Sequence, residues 1–168
     1  VRHFNQLAQA LSTYAAMCGE KLRKQGSCAR LITVFIQTNP CKFKYRTNYQ
    51  GMRTIQLEMP TNDSLRIISA VMRSLRTIYR SDCIYKKTGV IVSGIVPQSQ
   101  VQLSFFDNII DIEKRHRLMH AIDTVNNSYG KMNVRFAISG FERKWELKQK
   151  RLSPRYTTRM NELLQVSA

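Results

Sequence analysis

The chain has 168 residues, 43% of them hydrophobic, and carries 27 Lys and Arg against 11 Asp and Glu, a formal net charge of +16. This length allows one ordinary domain with a core, or a small domain with an appendage. No apolar run approaches the roughly 20 residues that span a bilayer, and the N-terminus has no signal-peptide pattern, so we expect a cytoplasmic protein without membrane partners. Because it begins with Val1 rather than Met, we expect it to be part of a longer protein.

The charge divides the chain into three parts. Residues 1–96 have a net charge of +11, residues 97–112 of −2, and residues 113–168 of +7. Two basic bodies joined by a mildly acidic connector favour a polyanionic partner. Nucleic acid is favoured over an anionic membrane, because no helix sets a basic face opposite Trp, Phe and Leu.

Residues 1–96 predict five elements in the order α-β-β-α-β. Residues 5–24 and the stretch that follows the capping residues 60–63 have helical periodicity, whereas residues 30–37, 54–59 and 84–95 alternate as strands. Gly89 inside the last strand suggests close approach of another backbone. The predicted fold is α+β: a β-α-β-β-α-β unit lacking its first strand, which would lie upstream of Val1, with two helices on one face of the sheet.

Basic side chains recur in two patterns within this body. Lys42, Lys44 and Arg46 alternate with Phe43 and Tyr45, so they could follow the phosphates of DNA, although a solvated loop remains the alternative. On the second helix, arginines 66, 73 and 80 repeat at seven residues with arginine 76 beside them. We interpret that stripe as a solvated face.

Residues 113–168 predict a smaller unit. Helical periodicity covers residues 113–129 and ends at Gly130, and residues 132–139 alternate as a strand before a basic tail that contains Trp145. The unit is therefore predicted to be a small α/β appendage with a thin core, and we expect it to dock on another surface.

The connector contains the apolar peptide Gln102-Leu103-Ser104-Phe105-Phe106. Its flanks hold polar and turn-forming residues, so it could be presented in extended form to a groove on a partner, with the two Phe rings as anchors. The alternative is an edge strand that fills the protein's own core. The docking peptide is favoured, because residues 97–100 end a complete sheet and Asp107 and Asp111 make the connector acidic.

The sequence lacks the residue patterns that catalysis and metal binding need. The acids Glu58, Asp63, Asp82, Asp107, Asp111 and Asp123 have no paired spacing, and no phosphate loop or nucleophile–base pair is present. Four cysteines without C-x-x-C spacing are expected to be free thiols. Glu113, His116 and His120 share a helix face that could seed a metal site, but a solvated face is favoured. No catalytic residue, metal site or cofactor is predicted in this chain.

The whole chain resembles the C-terminal half of UmuC-type proteins, which are Y-family translesion DNA polymerases. The resemblance rests on Tyr85-Lys-Lys-Thr-Gly-Val90, on Gln102–Phe106, on Met119-x3-Asp123-x2-Asn126, and on Trp145 followed by Leu152-Ser-Pro-Arg-Tyr-Thr-Thr158. Phe105 stands where the family more often has Leu.

The resemblance implies three units. Residues 1–96 would be a little-finger domain that binds duplex DNA without sequence preference, residues 97–112 a linker whose Gln102–Phe106 peptide docks on the replicative sliding clamp, and residues 113–168 a C-terminal UmuC-type domain. The predicted DNA contacts are Lys42, Lys44, Arg46, Arg53, Lys86, Lys87 and Thr88. A UmuD-type accessory subunit and a RecA filament would meet the C-terminal unit, whose candidate docking residues are Trp145, Ser153, Pro154, Arg155 and Tyr156.

The implied function is DNA binding and clamp tethering by an error-prone polymerase of the SOS response. The palm domain and its carboxylates have no counterpart here, so the Mg²⁺ of the full-length polymerase is not expected to bind this chain. The alternative hypothesis is a non-catalytic adaptor that links the sliding clamp to another protein.

Overall fold

A computed structural model describes residues 1, 3–38, 48–102, 109–130, 132–142, 145 and 152–163. Helix α1 spans Phe4–Lys24, strand β1 Ser27–Thr38, strand β2 Gln50–Thr61, helix α2 Ser64–Ile78 and strand β3 Tyr85–Pro97. A short 3-10 turn follows at Gln98–Gln100, and helix α3 spans Ile109–Tyr129. The predicted order α-β-β-α-β is confirmed, and the fold is α+β.

The three strands form one antiparallel sheet in the order β2-β1-β3. The alternation of β1 puts Ile32, Val34 and Ile36 on one face, where each is fully buried. Helices α1 and α2 cover that face with Leu7, Leu11, Ile67 and Leu75. No helix of the described residues covers the other face of the sheet, which leaves it available to a ligand.

Local signals explain where the helices begin and end. The Asp63 side chain accepts a hydrogen bond from the Leu65 amide at 2.8 Å and so caps α2. Helix α1 ends before Gly26, whose positive φ of 61° is favourable for glycine. At the start of the chain, the backbone of Val1 exchanges two hydrogen bonds of 2.8 Å with that of Tyr85 in β3. The first strand expected ahead of Val1 stays a prediction.

Helix α3 docks on the helical side of the domain. Met119 is its most buried residue at 1% exposure, and Asp123 forms an ion pair with Arg23 of α1. Farther along the chain, Phe136 packs against the main core, and the Ser139 hydroxyl lies 3.2 Å from that of Ser12 in a buried hydrogen bond. The C-terminal unit thus shares a core with the first body.

The strand predicted for residues 132–139 is wrong. The described part of the C-terminal unit contains helix α3 and two 3-10 turns, at Ala137–Ser139 and Met160–Glu162, and no strand. The Asn126 side chain takes the place of a neighbouring strand, because it accepts a hydrogen bond from the Val134 amide and donates one to the Val134 carbonyl, both at 2.9 Å. No helix in the described residues is long and apolar enough to cross a membrane.

Candidate nucleic-acid interface

The uncovered face of the sheet is the main candidate surface. Residues paired in register share a face, so every second position of the three strands points away from the helices. Its paired residues include no Asp or Glu, and the exposed Glu58 follows the same alternation of β2 beyond the last of them, Gln56. This open face exposes Met52 by 57% and Ile91 by 49%. Its paired residues are Leu31, Thr33, Phe35, Gln37, Gln50, Met52, Thr54, Gln56, Lys87, Gly89, Ile91 and Ser93.

Two cross-strand contacts hold the centre of the open face. The Thr33 and Thr54 hydroxyls are 2.8 Å apart and hydrogen-bonded. Beside them, the Phe35 ring lies over Gly89, so closely that a Cβ on Gly89 would be 2.6 Å from the ring carbons Cε1 and Cζ. The nearest neighbour of Gly89 on this face is therefore an aromatic ring, and the expected close approach of another backbone stays a prediction.

The structure separates the predicted DNA contacts. Lys87 pairs with Gln37 and lies on the open face, and Lys86 is exposed next to it. Thr88 pairs with Ile36 and points to the helical side, where its hydroxyl donates a 3.0 Å hydrogen bond to the Phe35 carbonyl. Arg53 pairs with Val34 on that same side of the sheet and is exposed on the opposite edge strand. Lys42, Lys44 and Arg46 lie outside the described residues.

Trp145 lies close to the β3 lysines, although we predicted it as part of a different site. Its ring makes an edge contact with Tyr14 of α1 at 5.6 Å between centroids. Both rings line a cavity of about 350 Å³ together with Lys86, Lys87 and Thr88. The buried indole Nε1 of Trp145 has no hydrogen-bond partner among the residues that the structure describes. One cavity thus joins a predicted DNA-binding strand to a predicted docking residue.

The other docking residues lie elsewhere on the surface. Ser153, Pro154, Arg155 and Tyr156 are all exposed. The Arg155 carbonyl accepts hydrogen bonds of 2.9 Å from the amides of Thr158 and Arg159, which closes a turn. The contacts of Trp145 are with Tyr14 and the residues of its cavity, whereas Arg155 bonds Thr158 and Arg159, so these contacts do not gather the five residues into one site.

The predicted clamp peptide begins at a fixed point. Gln102 is exposed, and residues 103–106 lie outside the described residues. Just before the peptide, the Gln98 amide donates to the Gly26 carbonyl at 2.8 Å, and the Asn62 side chain donates to the Gln98 side chain at 3.1 Å. Beyond it, Arg115 of α3 contacts Asp63 at 3.5 Å. Both flanks of the peptide are therefore attached to the same end of the sheet domain.

The contacts that hold α3 were missed by sequence reasoning. Arg23 donates two hydrogen bonds to Asp123, at 2.6 and 2.8 Å, and a further one to the Asn62 carbonyl at 2.6 Å. A signal for them was present in Met119, Asp123 and Asn126, because positions i, i+4 and i+7 fall on one face of a helix. Of these three residues, Asp123 contacts α1 and Asn126 bonds the Val134 backbone, while Met119 is buried.

One titratable group in the core is strongly perturbed. Tyr85 is 2% exposed, and burial raises its pKa to about 12. Its hydroxyl accepts a hydrogen bond from the Arg80 amide at 2.7 Å and donates one to the Arg80 carbonyl at 3.0 Å. Tyr85 thereby ties the end of α2 to the start of β3, next to Lys86 and Lys87. Burial also raises the pKa of the thiols of Cys18, Cys28 and Cys83.

Comparison with known proteins gives matches along most of the chain. Residues 1–105 match the impB/mucB/samB family C-terminal domain, and residues 116–166 match a domain of unknown function, DUF4113. Protein UmuC of Salmonella typhimurium is 36% identical over 167 residues, which is 99% of this chain and 39% of that protein.

Two further relatives are similar to a comparable degree. Protein ImpB of Salmonella typhimurium is 34% identical over 155 residues, covering 92% of this chain and 36% of the relative. Protein MucB of Escherichia coli is 34% identical over 158 residues, covering 94% of this chain and 37% of the relative. The chain spans less than two fifths of the length of these curated relatives.

Proposed function

The chain belongs to the impB/mucB/samB family of UmuC-type proteins, and we propose that it is the DNA-binding and clamp-tethering C-terminal portion of a Y-family translesion polymerase. Such a protein would act in translesion synthesis and SOS mutagenesis in the cytoplasm. The observation that supports DNA binding best is the open face of the sheet, which has no acidic residue among its paired positions and has Lys86 and Lys87 at one edge. The exposed Glu58 lies beyond the paired positions, at the other end of the strands.

The chemistry of this face suits the binding of duplex DNA without sequence preference. Lys86 and Lys87 would bind phosphates, which supply affinity but no sequence information. The Thr and Gln side chains of the open face can donate hydrogen bonds to phosphate or sugar oxygens. The exposed Met52 and Ile91 side chains would lie against the sugars. Because the helices cover the other face, DNA binding and the packing of α3 use different surfaces.

The residues described do not fit the Mg²⁺ site of a polymerase. Two-metal catalysis needs carboxylates that converge on the ions. Asp63 instead caps α2 and contacts Arg115, while Asp123 is held by Arg23. The described residues contain no group of three or more His, Cys, Asp or Glu side chains placed to hold a metal. Nucleotidyl transfer would be carried out by other parts of the polymerase.

The partners proposed for the C-terminal unit are a UmuD-type subunit and a RecA filament. Support comes from the large apolar side chains that this unit exposes, among them Phe141 by 84%, Met160 by 83% and Tyr129 by 79%. Exposed aromatic and Met side chains are typical anchors of protein interfaces. Binding of a purified UmuD-type subunit to the chain with F141S and M160S substitutions would test this assignment, and undiminished binding would contradict it.

The DNA-binding proposal is tested by the affinity of the chain for a labelled duplex at 50 and 200 mM salt. We expect affinity to fall steeply with salt, and K86Q/K87Q to weaken binding and lower the salt slope by about 2. The matched control is K114Q/R117Q, which removes two positive charges from exposed positions of α3. Affinity that is flat with salt, or equal losses in the two variants, would contradict the proposal.

A further inference from the structure

Helix α2 carries a row of arginines on the side that faces away from the sheet. Arg73 and Arg76 are exposed, and Arg66 is half-buried at the first turn. The ten residue steps from Arg66 to Arg76 span about 15 Å along the helix. Ser69 and Thr77 are exposed beside them. Arg80, which shares the seven-residue spacing, follows the end of the helix at Ile78 and stacks on the Tyr49 ring at 4.2 Å, so it is not part of the row.

Among the described residues, the charges of this row have no acidic partners. Helix α2 contains no Asp or Glu, and the ion pairs in the described part of the chain involve other cations. Asp63, at the start of the helix, is instead engaged by Arg115 of α3. The three guanidinium groups are therefore available for an external anion.

The row does not serve the stability of the helix. Arg73 and Arg76 are like charges three residues apart, a spacing at which two cations repel each other. Arg66 stands in the first helical turn, where the helix dipole disfavours positive charge. Positions that weaken the helix and lack internal partners fit a role in binding, and this weighs against the interpretation of the stripe as a merely solvated face.

The residue types indicate the class of ligand. The row contains only Arg among the basic residues, and the planar guanidinium binds phosphate through two parallel hydrogen bonds, which Lys does not do. Ser and Thr hydroxyls are also frequent phosphate donors. No aromatic side chain lies within α2, so stacking on bases is not expected.

We propose that the α2 arginine row, Arg66, Arg73 and Arg76, is a second binding surface for a phosphodiester backbone, on the side of the domain opposite the open sheet face. It would hold a second nucleic-acid segment while the sheet binds its own duplex. The shared ligand chemistry is the phosphate diester, which either a single strand or a second duplex supplies. The surface goes beyond the proposed sheet interface and does not depend on it.

The test measures binding of a labelled single strand, and separately of a labelled duplex, to the full chain preloaded with one equivalent of unlabelled duplex. We expect R73Q/R76Q to weaken binding of the second molecule about tenfold and to lower the salt slope by about 1.4 for a single strand or 1.8 for a duplex. If single-strand binding is weakened, the second nucleic acid is a single strand; if duplex binding is weakened, it is a duplex. R73K/R76K keeps the charge and should lose less.

The control K114Q/R117Q matches the variant in charge and in its i,i+3 spacing on an exposed helix face. It should leave binding of the second molecule within twofold, and thermal melting of both variants would check that each is folded. Equal weakening in the two variants, or unchanged binding in R73Q/R76Q, would overturn the proposal. If K86Q/K87Q has no effect but R73Q/R76Q does, the sheet assignment fails while the α2 surface stands.

Discussion

The guanidinium of Arg23 and the carboxylate of Asp123, one hundred residues apart, form two hydrogen bonds of 2.6 and 2.8 Å between α1 and α3. Their side chains are only 10% and 17% exposed. The same guanidinium reaches the Asn62 carbonyl and the Ser64 hydroxyl at the start of α2. Arg23 thus connects α1, α3 and the start of α2.

Substitution D123N should therefore loosen α3. It removes the negative partner of a mostly buried arginine, and we expect a loss of about 2–3 kcal/mol in the free energy of unfolding. Hydrogen exchange should become faster in the amides of residues 109–129, while β1 stays protected. E20Q, which breaks the exposed Glu20–Lys24 pair within α1, is the control and should cost less than about 0.5 kcal/mol. Equal exchange in both variants would show that the Arg23–Asp123 pair does not hold the helix.

Substitution G89A should strain the open face. The added Cβ would lie 2.6 Å from the Phe35 ring, so the ring or the strand must shift, at a cost of about 1–3 kcal/mol. Chemical denaturation measures the loss. The double variant F35A/G89A should lose less free energy of unfolding than the sum of the losses in F35A and in G89A, because F35A removes the ring that clashes. S93A, on the same face of β3, should change stability little. Strictly additive effects would mean that the ring does not cause the strain.

The Tyr85 hydroxyl predicts a loss of stability in alkali. Its pKa of about 12 in the folded chain lies above the ordinary value of 10, so folding favours the protonated form. That contribution is complete below pH 10 and is lost as the pH rises towards 12. Y85F should lack this component, and at neutral pH it should destabilise by about 1–3 kcal/mol, since the Arg80 amide and carbonyl lose their partner.

Urea midpoints between pH 8 and 11 measure the effect of Tyr85. The Y85F curve should fall less steeply with pH than that of the unsubstituted chain. Y129F alters an exposed ring and serves as the control, with an unchanged profile expected. Parallel curves for Y85F and the unsubstituted chain would assign the alkaline loss to other groups.

Local patterns predicted the first body well, because its elements bury apolar stripes that the sequence displays. The alternation in β1 and the Asp63 cap of α2 are both found in the structure. Residues 132–139 show the limit of such patterns. Their alternation would suit a strand, but a strand needs a neighbour, and the Asn126 side chain bonds the Val134 backbone instead.

Long-range pairs were the other limit. Nothing near Arg23 in the sequence identifies Asp123 as its partner, and Trp145 gives no sign that it lies near Lys86 and Lys87. The helical spacing of Met119, Asp123 and Asn126 indicates a shared face, but which helix that face meets depends on the tertiary fold. Periodicity therefore predicted the elements better than the way in which the C-terminal unit packs on them.

The flanks of the predicted clamp peptide lead to a sharp prediction for Phe105 and Phe106. Gln98 is hydrogen-bonded to Gly26 and Asn62 before the peptide, and α3 is held by Arg23 and Arg115 after it. Because these anchors lie outside the peptide, F105A/F106A should abolish binding to the sliding clamp while duplex affinity and the melting temperature stay nearly unchanged. Truncation of two aromatic anchors commonly removes most of the energy of such a contact.

The matched control for this peptide is F141A/M160A, which truncates two exposed apolar side chains elsewhere on the C-terminal unit. It should leave clamp binding intact. Surface plasmon resonance with immobilised clamp measures binding, and anisotropy with a labelled duplex measures the DNA affinity of the same samples. If F105A/F106A instead lowers the melting temperature by several degrees, the two rings belong to the core of this protein, and the alternative of an edge strand is correct.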